Sequence, residues 1–181
     1  SISRRLVELM GGALELETAP GEGSEFFFTV GLGEAEGARP ELYTSHADLA
    51  GARVLVVDDH AVNRRVVAES LRWARCNVSE RASVSEAMQA LRDAAQSGVP
   101  FRLVVSDVQM PEHDGFDLAE KVRDAADLPG TRVMLLTSAG LRGDAARCRE
   151  LGVAAYLQKP VSRVELLDAA AAAVADLPAR R

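Results

Sequence analysis

Five polar side chains stand where they could take and hold a phosphoryl group: Asp58 and Asp59, Asp107, Thr137 and Lys159. Each closes or follows a short apolar run. Val54-Leu-Val-Val57 leads into the aspartate pair, Leu103-Val-Val105 into Ser106-Asp107, Leu135-Leu136 into Thr137, and Tyr156-Leu157 stands just before Lys159. Three carboxylates brought together repel one another and need a counter-charge. A hard divalent cation supplies it, and all-oxygen ligation favours Mg²⁺ or Mn²⁺. Lys159 adds a compact positive charge able to pair with a phosphoryl oxygen, and Thr137 offers a hydroxyl to another. A carboxylate is a competent nucleophile for phosphoryl transfer and yields an acyl phosphate. Taken singly, each residue has an ordinary role, since an aspartate after a strand often only caps a helix. All five at one edge of one sheet are far harder to assign to coincidence.

That edge requires a particular arrangement of elements. From Arg53 to about Asp176 strand and helix patterns alternate. Strands are expected at Val54–Val57, Asn77–Arg81, Leu103–Val105, Arg132–Leu136 and Ala154–Leu157, and helices at Val62–Trp73, Val84–Ala95, Phe116–Arg123, Arg142–Leu151 and Arg163–Ala175. Continuous apolar runs suit strands buried on both faces. Five β–α units imply an α/β fold with a doubly wound parallel sheet. In a flavodoxin-like strand order of 2-1-3-4-5, strands one and three are neighbours, so Asp58, Asp59 and Asp107 meet at the switch point beyond the strand ends, where such sheets bind ligands.

Composition narrows the function classes. The 181 residues are 48% hydrophobic and 27% charged, a soluble globular balance with few aromatics. A formal net charge of −6 gives no basic face for nucleic acid. No apolar run approaches the roughly 20 residues of a membrane span, so no membrane contact by this segment and a cytoplasmic location are expected. Cys76 and Cys148 lack metal-ligand spacing and read as free thiols.

The motifs Val-Leu-Val-Val-Asp-Asp-His-Ala-Val-Asn-Arg (54–64), Val-Val-Ser-Asp-Val-Gln-Met-Pro-Glu-His-Asp-Gly (104–115), Leu-Leu-Thr-Ser-Ala (135–139) and Tyr-Leu-Gln-Lys-Pro (156–160) resemble the response-regulator receiver family. The resemblance implies a phosphoacceptor domain of a two-component phosphorelay. Asp107 would accept the phosphoryl group, Asp59 would ligate Mg²⁺ directly, Asp58 would act partly through water, and the backbone carbonyl of Gln109 would complete the protein ligands. Thr137 and Lys159 would contact the phosphoryl group, with a cis peptide before Pro160. Thr137 and Tyr156 would form a switch that repacks the surface of the fourth helix, fifth strand and fifth helix. Gln109 and Ala139 would influence acyl-phosphate lifetime. His60 and His113 flank the site and are expected in solvated loops, and Trp73 and Phe116 in the core or on a helix face.

The start of the chain has a different pattern. Ile2, Leu6, Leu9 and Met10 form a helical stripe stopped by Gly11-Gly12, and strands are expected at Ala13–Glu17 and Glu25–Leu32 around the turn at 20–24. Ser-Ile-Ser-Arg-Arg-Leu-Val-Glu-Leu-Met-Gly-Gly (1–12) and Pro-Gly-Glu-Gly-Ser-Glu-Phe-Phe-Phe-Thr-Val (20–30) are similar to the last helix and hairpin of a histidine-kinase ATP-binding domain. The expected organisation is a kinase remnant at 1–32, a linker at 33–51, the receiver at 52–177 and a tail at 178–181. The nucleotide-binding motifs of that family have no counterpart here, so no ATP-binding residues and no ATP-dependent kinase activity are expected of this fragment. None of His46, His60 and His113 sits in a helix suited to phosphorylation.

The order, kinase tail then receiver, implies the C-terminal part of a hybrid sensor histidine kinase. Its phosphohistidine donor would be the parent protein's own, and a histidine phosphotransfer protein the next acceptor. Two other readings are a receiver that docks or inhibits without phosphate, and a phosphatase of the haloacid-dehalogenase type. The latter family carries its nucleophile after the first strand in an Asp-x-Asp arrangement, whereas here that strand ends in adjacent aspartates.

Overall fold

Ser1 starts the first helix by accepting the Arg4 N–H on its hydroxyl at 3.3 Å, an N-cap that satisfies one of the orphan donors of the first turn. This helix, α1 (Ile2–Leu9), leads into β1 (Ala13–Ala19) and β2 (Gly23–Thr29), an antiparallel pair. Gly12 is required between helix and hairpin, because a Cβ there would lie 2.2 Å from the Thr29 carbonyl oxygen. The second strand starts and ends earlier than the apolar pattern indicates. Its partner sets the limits: Ala19 pairs with Gly23 and Ala13 with Thr29, so turn residues join the ladder and Val30 to Leu32 have nothing to pair with. Among residues 1–33, Val7 is the one buried side chain. The computed structural model describes residues 1–33, 47–128, 130–138, 140 and 143–175. The chain divides into two compact units, one within residues 1–42 and one within 43–181.

The first described element of the second unit is a 3-10 turn, Ala47–Leu49. Beyond it lie β3 (Arg53–Val57), α2 (Ala61–Trp73), β4 (Asn77–Arg81), α3 (Val84–Gln96), β5 (Leu103–Asp107), α4 (Gly115–Asp124), β6 (Arg132–Thr137), α5 (Asp144–Leu151), β7 (Ala155–Gln158) and α6 (Arg163–Ala175). The sheet is parallel, in the order β4-β3-β5-β6-β7, which is the flavodoxin-like 2-1-3-4-5 winding. The start expected for the fourth receiver helix, Arg142, lies outside the described residues, as do the tail at 178–181 and His46.

Strand alternation sorts the core into two layers. Leu55, Val57, Val104 and Leu135 face α3, α4 and α5, while Val54, Val56, Leu103, Val105, Met134 and Leu136 face α2 and α6. Phe116 is buried in the first layer. Trp73 lies on the helix face, 46% exposed, with the Arg163 guanidinium 5.7 Å over its ring. Leu49 is fully buried in the second layer, and Cys76 donates to its carbonyl at 3.5 Å. The last residues of the span read as linker are therefore folded into the α/β unit. Both cysteines are buried and free.

Candidate functional site

The winding reverses between β3 and β5, and the crevice beyond their carboxyl ends is where a ligand fits. Asp58 follows β3 and is buried, its Oδ1 accepting the His60 N–H at 2.8 Å. Asp59 is exposed beside it. Asp107 is the last residue of β5 and is 7% exposed. One carboxylate oxygen from each of the three lies within 4.8 Å of the others. Lys159 reaches in from the loop after β7: its backbone N–H donates to the Thr137 carbonyl at 2.7 Å, and its Nζ donates to Asp107 Oδ1 at 2.8 Å and to Asp58 Oδ2 at 3.3 Å. The Lys159–Pro160 peptide is cis, as the resemblance implies. Thr137 closes β6 and is fully buried.

The fourth helix supports this edge from the other side. Asp114 and Asp117 form a reciprocal capping box, each side chain accepting the other's N–H. Gly115 then passes directly over the phosphoacceptor candidate, where a Cβ would meet the Asp107 carbonyl oxygen at 2.4 Å. Its N–H donates to the Val108 carbonyl at 3.0 Å. A glycine is the one residue that allows this approach.

Electrostatics follow from the burial. Desolvation raises the Asp107 carboxyl above its ordinary range; the Lys159 contact opposes this, and Asp58 adds to it. Desolvation is also the largest influence on Lys159 and acts to lower its pKa, but Asp107 and Asp58 together outweigh it, so the ammonium is held above its usual value. Three carboxylates against one ammonium leave a surplus of two negative charges. That surplus, made entirely of hard oxygen donors, fits a hard divalent cation.

Gln109 is exposed in the loop after β5, and Ala139 lies outside the described residues. His60 precedes α2 and is exposed, and His113 is half-exposed with its Nδ1 3.5 Å from the Asp117 carboxylate. Neither belongs to the metal-competent cluster found among the described residues. Tyr156 is half-buried on β7, its hydroxyl donating to Asp144 Oδ2 at 2.5 Å. Burial and the Asp144 bond raise its phenol pKa, while the Thr137 hydroxyl acts in the opposite direction. The ring stacks on Phe116 at 6.2 Å between centroids. The Arg147 guanidinium lies 4.4 Å from the Phe116 ring centre and pairs with Asp114 at 3.6 Å.

Sequence reasoning did not single out Asp144, Arg147 or Arg64. Arg64 lies on α2, and its Nη1 donates to the Asp58 carbonyl at 2.6 Å. A basic residue one turn into the helix that follows an acidic pair was the available signal.

A doubly wound sheet with three carboxylates and a lysine at its switch point defines an α/β signalling domain of the receiver type. Residues 54–171 match the model of the response regulator receiver domain, and the chain belongs to that family. It is a receiver domain of two-component signal transduction. The chain is 34% identical over 194 residues to the virulence sensor protein BvgS of Bordetella bronchiseptica, an alignment covering 98% of this chain and 15% of that protein. It is 28% identical over 117 residues to hybrid signal transduction histidine kinase L of Dictyostelium discoideum, covering 63% of this chain and 7% of that one. The chain thus spans a small part of the sensor proteins it matches. Among solved structures, the chemotaxis response regulator CheY4 of Vibrio cholerae superposes with a TM-score of 0.61 at 27% identity, covering 68% of this chain and 99% of that one. No helix among the described residues is long and apolar enough to cross a membrane.

Proposed function

We propose that Asp107 accepts a phosphoryl group from a phosphohistidine, with Asp58, Asp59 and Asp107 and the Gln109 carbonyl holding Mg²⁺. The contact that carries this reading is Lys159 Nζ on Asp107 Oδ1 at 2.8 Å, beside the cluster that Asp107 forms with Asp58 and Asp59. Asp107 attacks phosphorus, forming an O–P bond as the N–P bond breaks and its electron pair stays on the imidazole. A divalent cation, when bound, neutralises charge on the phosphoryl oxygens. Lys159 transfers its ammonium from the carboxylate to a phosphoryl oxygen, and Thr137 hydrogen-bonds another. The ionised carboxylate oxygen carries no proton to remove, so the attack needs no general base, and the Lys159 ammonium against it favours that form. What the chain supplies is position and charge.

Tyr156 answers the movement of Thr137 in this reading, and the Asp144 bond sets its resting position. The N-terminal helix and hairpin are the end of a histidine-kinase ATP-binding domain, and the receiver is an internal relay of a hybrid kinase. Support comes from the alignment with BvgS, which runs through both units. The donor is the parent protein's own phosphohistidine, and a histidine phosphotransfer protein is the next acceptor. Acetyl phosphate with Mg²⁺, followed by intact mass, tests the core of the proposal. One phosphoryl adduct on the wild-type chain and none on Asp107→Asn is the expected result, and an adduct of equal yield on Asp107→Asn contradicts it.

A further inference from the structure

The ladder that holds β3 stops just short of its most important residues. Pairing with β4 runs from Arg53 to Val57, and beyond it the Asp58 N–H reaches the Arg81 carbonyl at only 3.3 Å. The two residues meant to present carboxylates thus stand just past the end of the paired strand, where the regular ladder stops. Arg64 stands behind them. Its Nη1 donates to the Asp58 carbonyl at 2.6 Å and to the Asp59 carbonyl at 3.5 Å. Its Nε lies 3.7 Å from Glu80 Oε2, and the Arg72 guanidinium grips the other oxygen of Glu80 at 2.7 Å. The Arg64 side chain is 19% exposed.

We infer that Arg64 is a positioning residue for the cation and phosphoryl site, clamping the Asp58–Asp59 backbone from behind while leaving both carboxylates to the site. The inference rests on the Mg²⁺-assisted phosphoacceptor reading above. The choice of partner is the informative detail. A guanidinium bonded to the backbone of two adjacent aspartates has an electrostatic reason to pair with a carboxylate of theirs, and doing so would occupy ligand oxygens. Here a single nitrogen, Nη1, is spent on the two carbonyls, and Nε on the other edge is drawn toward Glu80. Glu80 also offsets part of the positive charge, which would otherwise repel a divalent cation. Arginine suits the task because a planar fork can hold a carbonyl and a carboxylate together, whereas a lysine ammonium is a single point. Fixing the orientation of ligands from outside is how supporting residues tune metal affinity, usually by tenfold or more.

An ordinary tether between α2 and β4 would use the same ion pair, so the test must separate geometry from fold and charge. Arg64→Lys keeps the charge and loses the fork. With the full 181-residue chain, Mn²⁺ affinity is read from the free-ion paramagnetic resonance signal. The expected result is a Kd raised about tenfold in Arg64→Lys with an unchanged melting temperature. In the acetyl phosphate reaction, the Mg²⁺ concentration for half-maximal rate rises by the same factor, while the rate at saturating Mg²⁺ is retained. Glu80→Gln, which frees the other edge of the guanidinium, shifts both in the same direction by less, and carries the test if Arg64→Lys does not fold. A Mn²⁺ Kd within about twofold of wild type in the folded variant overturns the inference. Wild-type chain that binds Mn²⁺ alongside such a variant overturns it alone. Wild-type chain that fails to bind Mn²⁺ overturns the metal-assisted reading beneath it as well.

Discussion

The two units of this chain use similar apolar residues to opposite effect. In the receiver, Leu55, Val57, Val104 and Leu135 vanish between a sheet and three helices. In the N-terminal unit Leu16, Phe26 and Phe28 line one face of a two-stranded hairpin and remain 53%, 65% and 53% exposed, and Ile2 and Leu9 of the helix remain 83% and 71% exposed. Leu14 and Leu16 alternate with glutamates along β1 and pair with Phe28 and Phe26 of β2, so that face has residues right for a core. What differs is the second layer. An apolar face gains about 25 cal/mol per Å² only when something covers it, and one helix over a hairpin leaves most of that area in water. The receiver's sheet is covered on both faces, whereas the hairpin at 1–33 leaves its apolar face exposed.

Separating the units is the strongest way to break this contrast. A peptide of residues 1–33 is expected to show no cooperative thermal transition by circular dichroism, while residues 43–181 melt in a single sigmoidal step. A cooperative melt of the short peptide would refute the argument from the missing layer. Leu49→Ala sharpens the boundary between the units. Leu49 lies in a stretch with linker composition yet is fully buried, so truncating it should cost about 2–5 kcal/mol of receiver stability in urea unfolding. A loss near zero would return that stretch to the linker. Gly115→Ala places a methyl group against the Asp107 carbonyl. It should cost about 1–3 kcal/mol and slow phosphorylation by acetyl phosphate; unchanged stability and rate would mean that the approach of α4 is not constrained.

The smallest effect has the opposite sign. Desolvation raises the Asp107 carboxyl, so the folded state holds this proton more tightly than the unfolded chain does. The stabilising contribution is complete below the unfolded value, roughly pH 3.9, and is lost as pH rises through the folded one. Above that range and without divalent ions, the ionised carboxylate is a net burden. Asp107→Asn should therefore melt at least as high as wild type in EDTA, and adding Mg²⁺ should raise the wild-type melting temperature more than the variant's. A variant that melts lower in EDTA would show that the Lys159 pair outweighs desolvation.

Much of this was legible because the receiver's strands are short apolar runs with polar residues only at their carboxyl ends. Pattern alone therefore indicates the sheet, its winding and the edge where Asp58, Asp59, Asp107, Thr137 and Lys159 gather. What was not legible depends on partners distant in sequence. The limits of β2 follow from where β1 begins and ends. Leu49 sits among unpatterned residues and is buried because Ala74, Cys76 and α6 leave room for it. Arg64 acts on backbone carbonyls, which carry no residue identity, and on Glu80, brought near only by the pairing of β3 with β4. Asp144 and Arg147 look like ordinary helix-surface charges until Tyr156 and Phe116 are folded beside them.

The central claim is that the acyl phosphate forms at Asp107. Treating the acetyl phosphate product with borohydride reduces an aspartyl phosphate to homoserine, and peptide mass mapping then locates the altered residue. Homoserine is expected at position 107 alone, in a yield that depends on Mg²⁺. Homoserine at position 58 or 59, or a phosphorylated chain with none at 107, would contradict it.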